Sequence, residues 1–528
     1  MIRLLRSAVC AASVLAASPA YTQCELAGFL PDQGGTFGWR NGLALDGDTL
    51  VVGAAELGGE GRAYVYGRAG GAWTLEAILF SPDMPVWQTF GMSVDIDGDT
   101  IVLGDAGADG SAPDIGQAHV FERTTTGWSH VARLEGSGSV LYQAFGRDVA
   151  IEGDLIAIGA PAGAAGPPAE SVYIFERTAG GWTESARLES VSEYDLLGTS
   201  LDVDGGRIFA GISTFDLAAG VHVWEPTAVG WNLSAVITRP ADGSTRFGYA
   251  VDADGDTLVV TSDTDGPAGP GGRAFVFREV AGAWSLEAVL HAENPAAGDF
   301  FGSSVTLDGD LLAIGALRSN EAAPYGGAVE LFERRGGVWT RVRILAPTDL
   351  AADDLFGSAG AMDDGRIAVA AHGSDAHAPL AGAAALYDLA AGRAESTCWS
   401  AANSSGTPAR LRVRGDLSVG GLDTQVAAEG CPPSTFGLFF YGLEPASLPL
   451  GDGILCISPF SPGLVRLGTP LATDAGGHVA ANIDFSSLTG VAAIAPYDER
   501  IFQFWFRDVS AGGSGSNLTD AVKVSFCP

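Results

Sequence analysis

The sequence predicts an all-β chain: a seven-bladed β-propeller with four antiparallel strands per blade, followed by a small β-sandwich. Three observations carry this. A Phe-Gly pair, once Leu-Gly, recurs seven times about every 53 residues. An acidic-Gly turn between two apolar runs follows each pair. A Trp closes each of the first six copies. Self-similarity at this period marks a repeat architecture, in which each unit buries its faces against its neighbours.

The pairs open at Phe37, Phe90, Phe145, Leu197, Phe247, Phe301 and Phe356. The turns follow at Asp46-Gly47, Asp97-Gly98, Glu152-Gly153, Asp204-Gly205, Asp254-Gly255, Asp308-Gly309 and Asp364-Gly365. Asp and Gly tolerate the positive φ of a tight turn, so the apolar runs on either side read as a hairpin. A variable loop leads to a third strand such as Ala118-His119-Val120-Phe121. The fourth strand opens at Trp73, Trp128, Trp182, Trp231, Trp284 or Trp339. A four-stranded sheet cannot bury both faces alone, and radial stacking of seven such sheets solves that.

The seventh copy lacks its Trp and fourth strand. Cys24 to Leu30 has the Trp-to-Leu spacing of a fourth strand, with Cys24 in place of the Trp. The N-terminal segment is therefore expected to close blade seven and cover its open edge. Cys24 then falls near Cys398, and a Cys24–Cys398 disulfide is expected to lock the ring. The rival is a Cys398 paired with Cys456 or Cys527.

The Phe-Gly openings, with Gly159-Ala160-Pro161 after the second strand of blade three, resemble the FG-GAP repeat of integrin α-subunits. The resemblance covers about residues 24–394 and implies a ligand-binding extracellular propeller. Such blades often hold Ca²⁺ in an Asp-x-Asp-x-Asp-Gly loop. Here the acids of Asp95-Ile96-Asp97-Gly98-Asp99 and Asp252-Ala253-Asp254-Gly255-Asp256 begin within the strand before a short turn. A tight hairpin leaves no loop to wrap an ion needing six to eight oxygens, so these read as β-turns. No metal, cofactor or catalytic residue is assigned. His372 and His377 flank Asp375 in one loop without regular ligand spacing. The six Trp residues share one register, which reads as packing between blades.

Composition bounds the rest. The chain has 528 residues, 74 of them Gly, and a formal net charge of −34. Such acidity excludes binding to nucleic acid or anionic lipid by charge and reads as a solvated surface. Residues 1–20 read as a secretory signal, with Arg3 and Arg6 before a small apolar run and Ser18-Pro19-Ala20 at the cleavage site. No later run is apolar and long enough to span a bilayer. Without Cys10, the mature chain keeps Cys24, Cys398, Cys431, Cys456 and Cys527, an odd number that leaves one thiol over. Glycan-acceptor triplets at Asn232, Asn403 and Asn517 read as chance matches.

Three regions are expected: signal 1–20, propeller 21–395 and β-sandwich 396–528. The last carries runs such as Phe436 to Tyr441 and Ile501 to Phe506. It resembles a C-terminal module of large secreted bacterial repeat proteins. No nucleophile elbow, phosphate loop or zincin motif is present. The chain reads as a non-catalytic secreted or cell-surface adhesion protein with an extracellular protein or glycan ligand. The alternatives are a propeller hydrolase or lyase acting on polysaccharide, and a structural surface or matrix component. Binding is expected on the variable connections after the second and fourth strands. Their acids are Asp105, Asp109, Asp114, Asp263, Asp265, Glu293, Asp299, Asp353 and Asp354.

Overall fold

The computed structural model describes residues 25–29, 36–38, 41–55, 61–69, 72–82, 89–109, 115–139, 143–161, 170–190, 196–213, 219–241, 244–263, 271–347, 350–375, 382–389, 394–398, 403–404, 408–414, 417, 424–460, 463–485, 493–494, 498–508 and 515–526. Their regular structure is β-strand throughout. None of them forms a helix long and apolar enough to cross a membrane. The chain divides into two compact units, one of Gln23–Ala390 and one containing Ala391–Pro528.

The first unit is a seven-bladed propeller. Blade 3 shows the plan: strands Val149–Glu152, Leu155–Ala160, Ser171–Thr178 and Gly181–Glu189 pair antiparallel in chain order. Blades 2, 4, 5 and 6 repeat it, with innermost strands Ser93–Asp97, Leu197–Asp204, Val251–Asp254 and Phe301–Asp308. In blade 1 the innermost strand is split into Thr36–Phe37 and Leu43–Asp46, both paired to Thr49–Ala55. Blade 7 has Phe356–Asp363, Arg366–Ala371 and Ala383–Asp388, and its outer strand is Glu25–Phe29 from the N-terminus. That strand runs antiparallel to the third, with Gly28 opposite Ala385 and Phe29 opposite Ala384. The ring therefore closes as the spacing predicts, and the third strand of blade 7 loses its open edge.

The Phe-Gly pair is a junction between blades. Its aromatic is fully buried, as at Phe90 and Phe145. The following Gly takes a positive φ, which a residue with a Cβ adopts at a cost. Its carbonyl lies against the second-strand Gly of the preceding blade: a Cβ on Gly159 would sit 2.1 Å from the oxygen of Gly198. Glycine at both positions lets two backbones meet. The Trp residues pack where the repeat predicts. Trp128 lies on a core of Ala44, Val51, Phe90 and Ile101, contributed by blades 1 and 2.

The second unit has a sheet that includes Ala394–Cys398, Ala521–Ser525, Glu499–Asp508, Phe436–Gly442 and Val465–Ala472. A second sheet holds Arg410–Arg414, Gln425–Glu429 and Val479–Asn482. Leu411 and Val426 of the smaller sheet share one core with Phe439, Phe504 and Val524 of the larger, which makes the expected sandwich. Cys398 pairs with Ala521 in the larger sheet. Ala521 shares a core with Cys456, and Cys456 is disulfide-bonded. Cys24 and Cys527 lie outside the described residues. Among the described residues Cys431 is a buried, free thiol. Asn403 and Asn517 are buried, whereas Asn232 is exposed on the outer strand of blade 4.

Candidate functional site

The innermost strand of each blade is a sheet edge, so alternate N–H groups find no strand partner. Acidic side chains of the preceding blade take them. Alternate residues of these strands face the central channel. The last channel-facing residue is acidic in all seven blades, and each accepts a hydrogen bond from the turn of the next blade. Gly98 donates to Asp46 (2.5 Å), Gly153 to Asp97, and Gly205 and Gly206 to Glu152 (3.1 and 2.7 Å). Gly255 donates to Asp204 (3.1 Å), Gly309 to Asp254 (2.6 Å) and Gly365 to Asp308 (3.2 Å). Gly47 donates to Asp363 (2.7 Å), which completes the circle. The acidic-Gly signal is thus a staple between blades as well as a turn within one.

Blade 7 corrects one reading. Asp363, not Asp364, holds the ring position, and Asp364 occupies the turn with φ 47° where blade 1 has Gly47. The turn has shifted by one residue relative to the repeated Asp-Gly pair.

A second tier stands two residues deeper. Asp95 accepts from Ile151 (2.7 Å), Asp202 from Ala253 (2.7 Å) and Asp252 from Leu307 (3.0 Å). Above them Asp148 accepts from Leu201 (2.7 Å). These four acids, with Asn41, Ser200, Ser304 and Thr306, line a cavity of about 200 Å³ in the channel. Loss of water is the main cause of their raised pKa values: Asp95 to about 8, Asp148 and Asp202 to about 7, and Asp252 well above the carboxylate range. The acids also repel one another across the channel, as Asp95 does Asp202 and Asp148. The oxygens of Asp95 are engaged by the N–H groups of Ile96 and Ile151 instead of converging on one point. Among the described residues no three His, Cys, Asp or Glu side chains are grouped to hold a metal.

Arginines near the third-strand ends tie the outer parts of adjacent blades. Arg177 bonds Glu122 and Thr100 (2.7 Å) of blade 2 and Asp154 (3.0 Å) of its own blade. Its guanidinium lies 4.5 Å over the ring of Trp182. Arg123 over Trp128 and Arg334 over Trp339 repeat the arrangement. The Trp register therefore provides a platform for a junction arginine as well as an apolar wedge.

Chain order puts the first-to-second and third-to-fourth turns on one end of the ring and the variable connections on the other. The acids expected to bind there divide into two groups. Asp105, Asp263, Asp299 and Asp354 are buried and serve the loops themselves. Asp105 accepts from the amide and hydroxyl of Thr89 (2.8 and 3.3 Å), and burial raises its pKa to about 7. Asp263 pairs with Arg246 (3.0 Å). Asp299 and Asp354 each cap a turn, through Ala296 and Ala351 (both 2.8 Å). Glu293 pairs with Arg341 (2.8 Å). Asp109 and Asp353 are exposed. Asp114, Asp265 and His377 lie outside the described residues.

A family model described as FG-GAP repeat matches residues 73–121, 128–175, 284–332 and 339–387. The chain carries FG-GAP repeats. Each matched stretch begins at the Trp of one blade and ends on the third-strand aromatic of the next. An FG-GAP unit therefore spans one blade junction and includes the Phe-Gly pair that packs there. No curated protein matches the chain. The solved structures that match include the crystal structure of the Saccharomyces cerevisiae Sqt1, at 10% identity and a TM-score of 0.42, covering 77% of this chain and 96% of that one.

Proposed function

We propose that this FG-GAP propeller is an exported, non-catalytic binding or adhesion scaffold whose ligand, an extracellular protein or glycan, docks on the variable face. One observation supports this above the others. The channel acids and the buried loop acids hold backbone amides, loops or arginines, as Asp95, Asp254 and Asp299 do. A frame stapled in this way presents differing loops on a rigid ring, the usual arrangement for recognition. Export rests on residues 1–20.

The test is a glycan and matrix-protein array probed with the full mature chain, followed by charge reversal at Asp109, Glu321 and Asp353. All three are exposed on variable connections. The reading expects these variants to lose the captured ligand while Asp99→Asn and Asp310→Asn, on the opposite face, retain it. Equal loss from both sets in folded protein contradicts it. Polysaccharide turnover abolished by one Asp or Glu substitution establishes the hydrolase or lyase alternative instead.

A further inference from the structure

Asp95, Asp148, Asp202 and Asp252 come from four consecutive blades and line one small cavity. Each receives a backbone N–H from the following blade. Among the described residues no arginine or lysine lines that cavity. Arg147 lowers the pKa of Asp148 from the side, and Asn41 donates to it. Asp95, Asp202 and Asp252 face further carboxylates: Asp202 faces Asp148 and Asp204, and Asp252 faces Asp202, Asp254 and Asp95. A neutral carboxyl still accepts the N–H through its carbonyl oxygen, so protonation preserves the staple and removes the repulsion.

We propose that this channel is a proton-loaded clamp, which tightens the junctions of blades 2 to 6 as the surroundings acidify and loosens them as pH rises. The sign follows from the direction of the shifts. The folded chain holds protons on these groups that the unfolded chain releases above about pH 4. Folding stability therefore falls as pH rises from about 4 through about 7 and 8, where Asp148 and Asp95 lie. Buried groups elsewhere add to the slope without lying in the channel, so variants must separate them. Asp105 is one such group.

The experiment measures the thermal midpoint of the full mature chain between about pH 5 and pH 9, for wild type, Asp95→Asn, Asp252→Asn and the double variant. Asn keeps an acceptor for the N–H and cannot ionise. Wild type is expected to melt lower at the alkaline end. The variants are expected to show a shallower slope and a midpoint above wild type at that end. Asp310→Asn, on the exposed rim, is expected to keep the wild-type slope. An unchanged slope in the double variant overturns the proposal. Should that variant fail to fold, proton uptake of folded wild type is compared with the same chain in guanidinium over the same range. Extra uptake by the folded chain that falls in the single variants supports the clamp, and uptake equal to that of the unfolded chain, or unchanged in both single variants, overturns it.

Discussion

Substituting Gly159→Ala tests whether the FG-GAP glycines are contacts between blades. The added Cβ would lie 2.1 Å from the carbonyl oxygen of Gly198, 3.0 Å from its carbonyl carbon and 3.3 Å from its Cα. An ordinary C···O contact is about 3.3 Å, so blades 3 and 4 must part locally by about 1 Å. Both sides are backbone within paired strands and cannot swing away as a side chain would. Overpacking of this kind costs about 1–3 kcal/mol, and the rigid neighbours place the site near the upper end. Reduced freedom of the unfolded chain returns about 0.4–1 kcal/mol, for a net loss of about 2 kcal/mol. The control is Gly153→Ala. There φ is 58°, and no atom lies within 4 Å of the added Cβ. Its cost is the left-handed backbone alone, about 1–2 kcal/mol before the same return. Urea unfolding followed by Trp fluorescence gives both values. A Gly159→Ala variant no less stable than Gly153→Ala refutes the junction reasoning.

The other predictions concern the outer lattice, the free thiol and the cysteine pairing. Arg177→Ala loses its bonds to Thr100 and Asp154 and its seat over Trp182, at a cost of about 1–2 kcal/mol at this half-exposed site. Arg177→Lys, which cannot make the flat fork, is expected to recover less than half of that by the same unfolding assay. Burial, with a contribution from Asp508, pushes the Cys431 thiol up to about 12. A thiol reagent at neutral pH should therefore label it only as fast as the C-terminal module opens, and rapid labelling of folded protein contradicts this. Non-reducing peptide mapping is expected to link Cys398 to Cys456, because Cys398 lies opposite Ala521 in the core that contains Cys456. A Cys24–Cys398 peptide would restore the ring staple expected from the repeat.

The blade plan was legible because its signals are local and periodic. Phe-Gly, the acidic turn and the Trp each recur at one offset, and the missing Trp of copy seven pointed to Cys24 and the N-terminal strand. The roles of the acids were hidden for a physical reason. Asp254 reads as a turn residue beside Gly255, yet its partner is the amide of Gly309, 55 residues away in the next blade. Only the ring makes the inner strand an edge that needs an acceptor. The same distance hid Asp95, whose partner is Ile151. On the variable face, exposure was assumed from loop composition, but the loop amides of Ala296 and Ala351 draw in Asp299 and Asp354. The signal that could have found them is the short acid-to-amide spacing of a turn cap.

Hydrogen–deuterium exchange at the turn glycines tests the stapled ring most directly. The amide of Gly309 sits in an exposed turn and bonds Asp254 of the preceding blade at 2.6 Å. In wild type it should exchange far more slowly than a free turn amide. In Asp254→Ala it should exchange rapidly, while Gly153, held by Asp97, stays protected. A Gly309 amide that exchanges freely in wild type, or whose protection survives the loss of Asp254, contradicts the account.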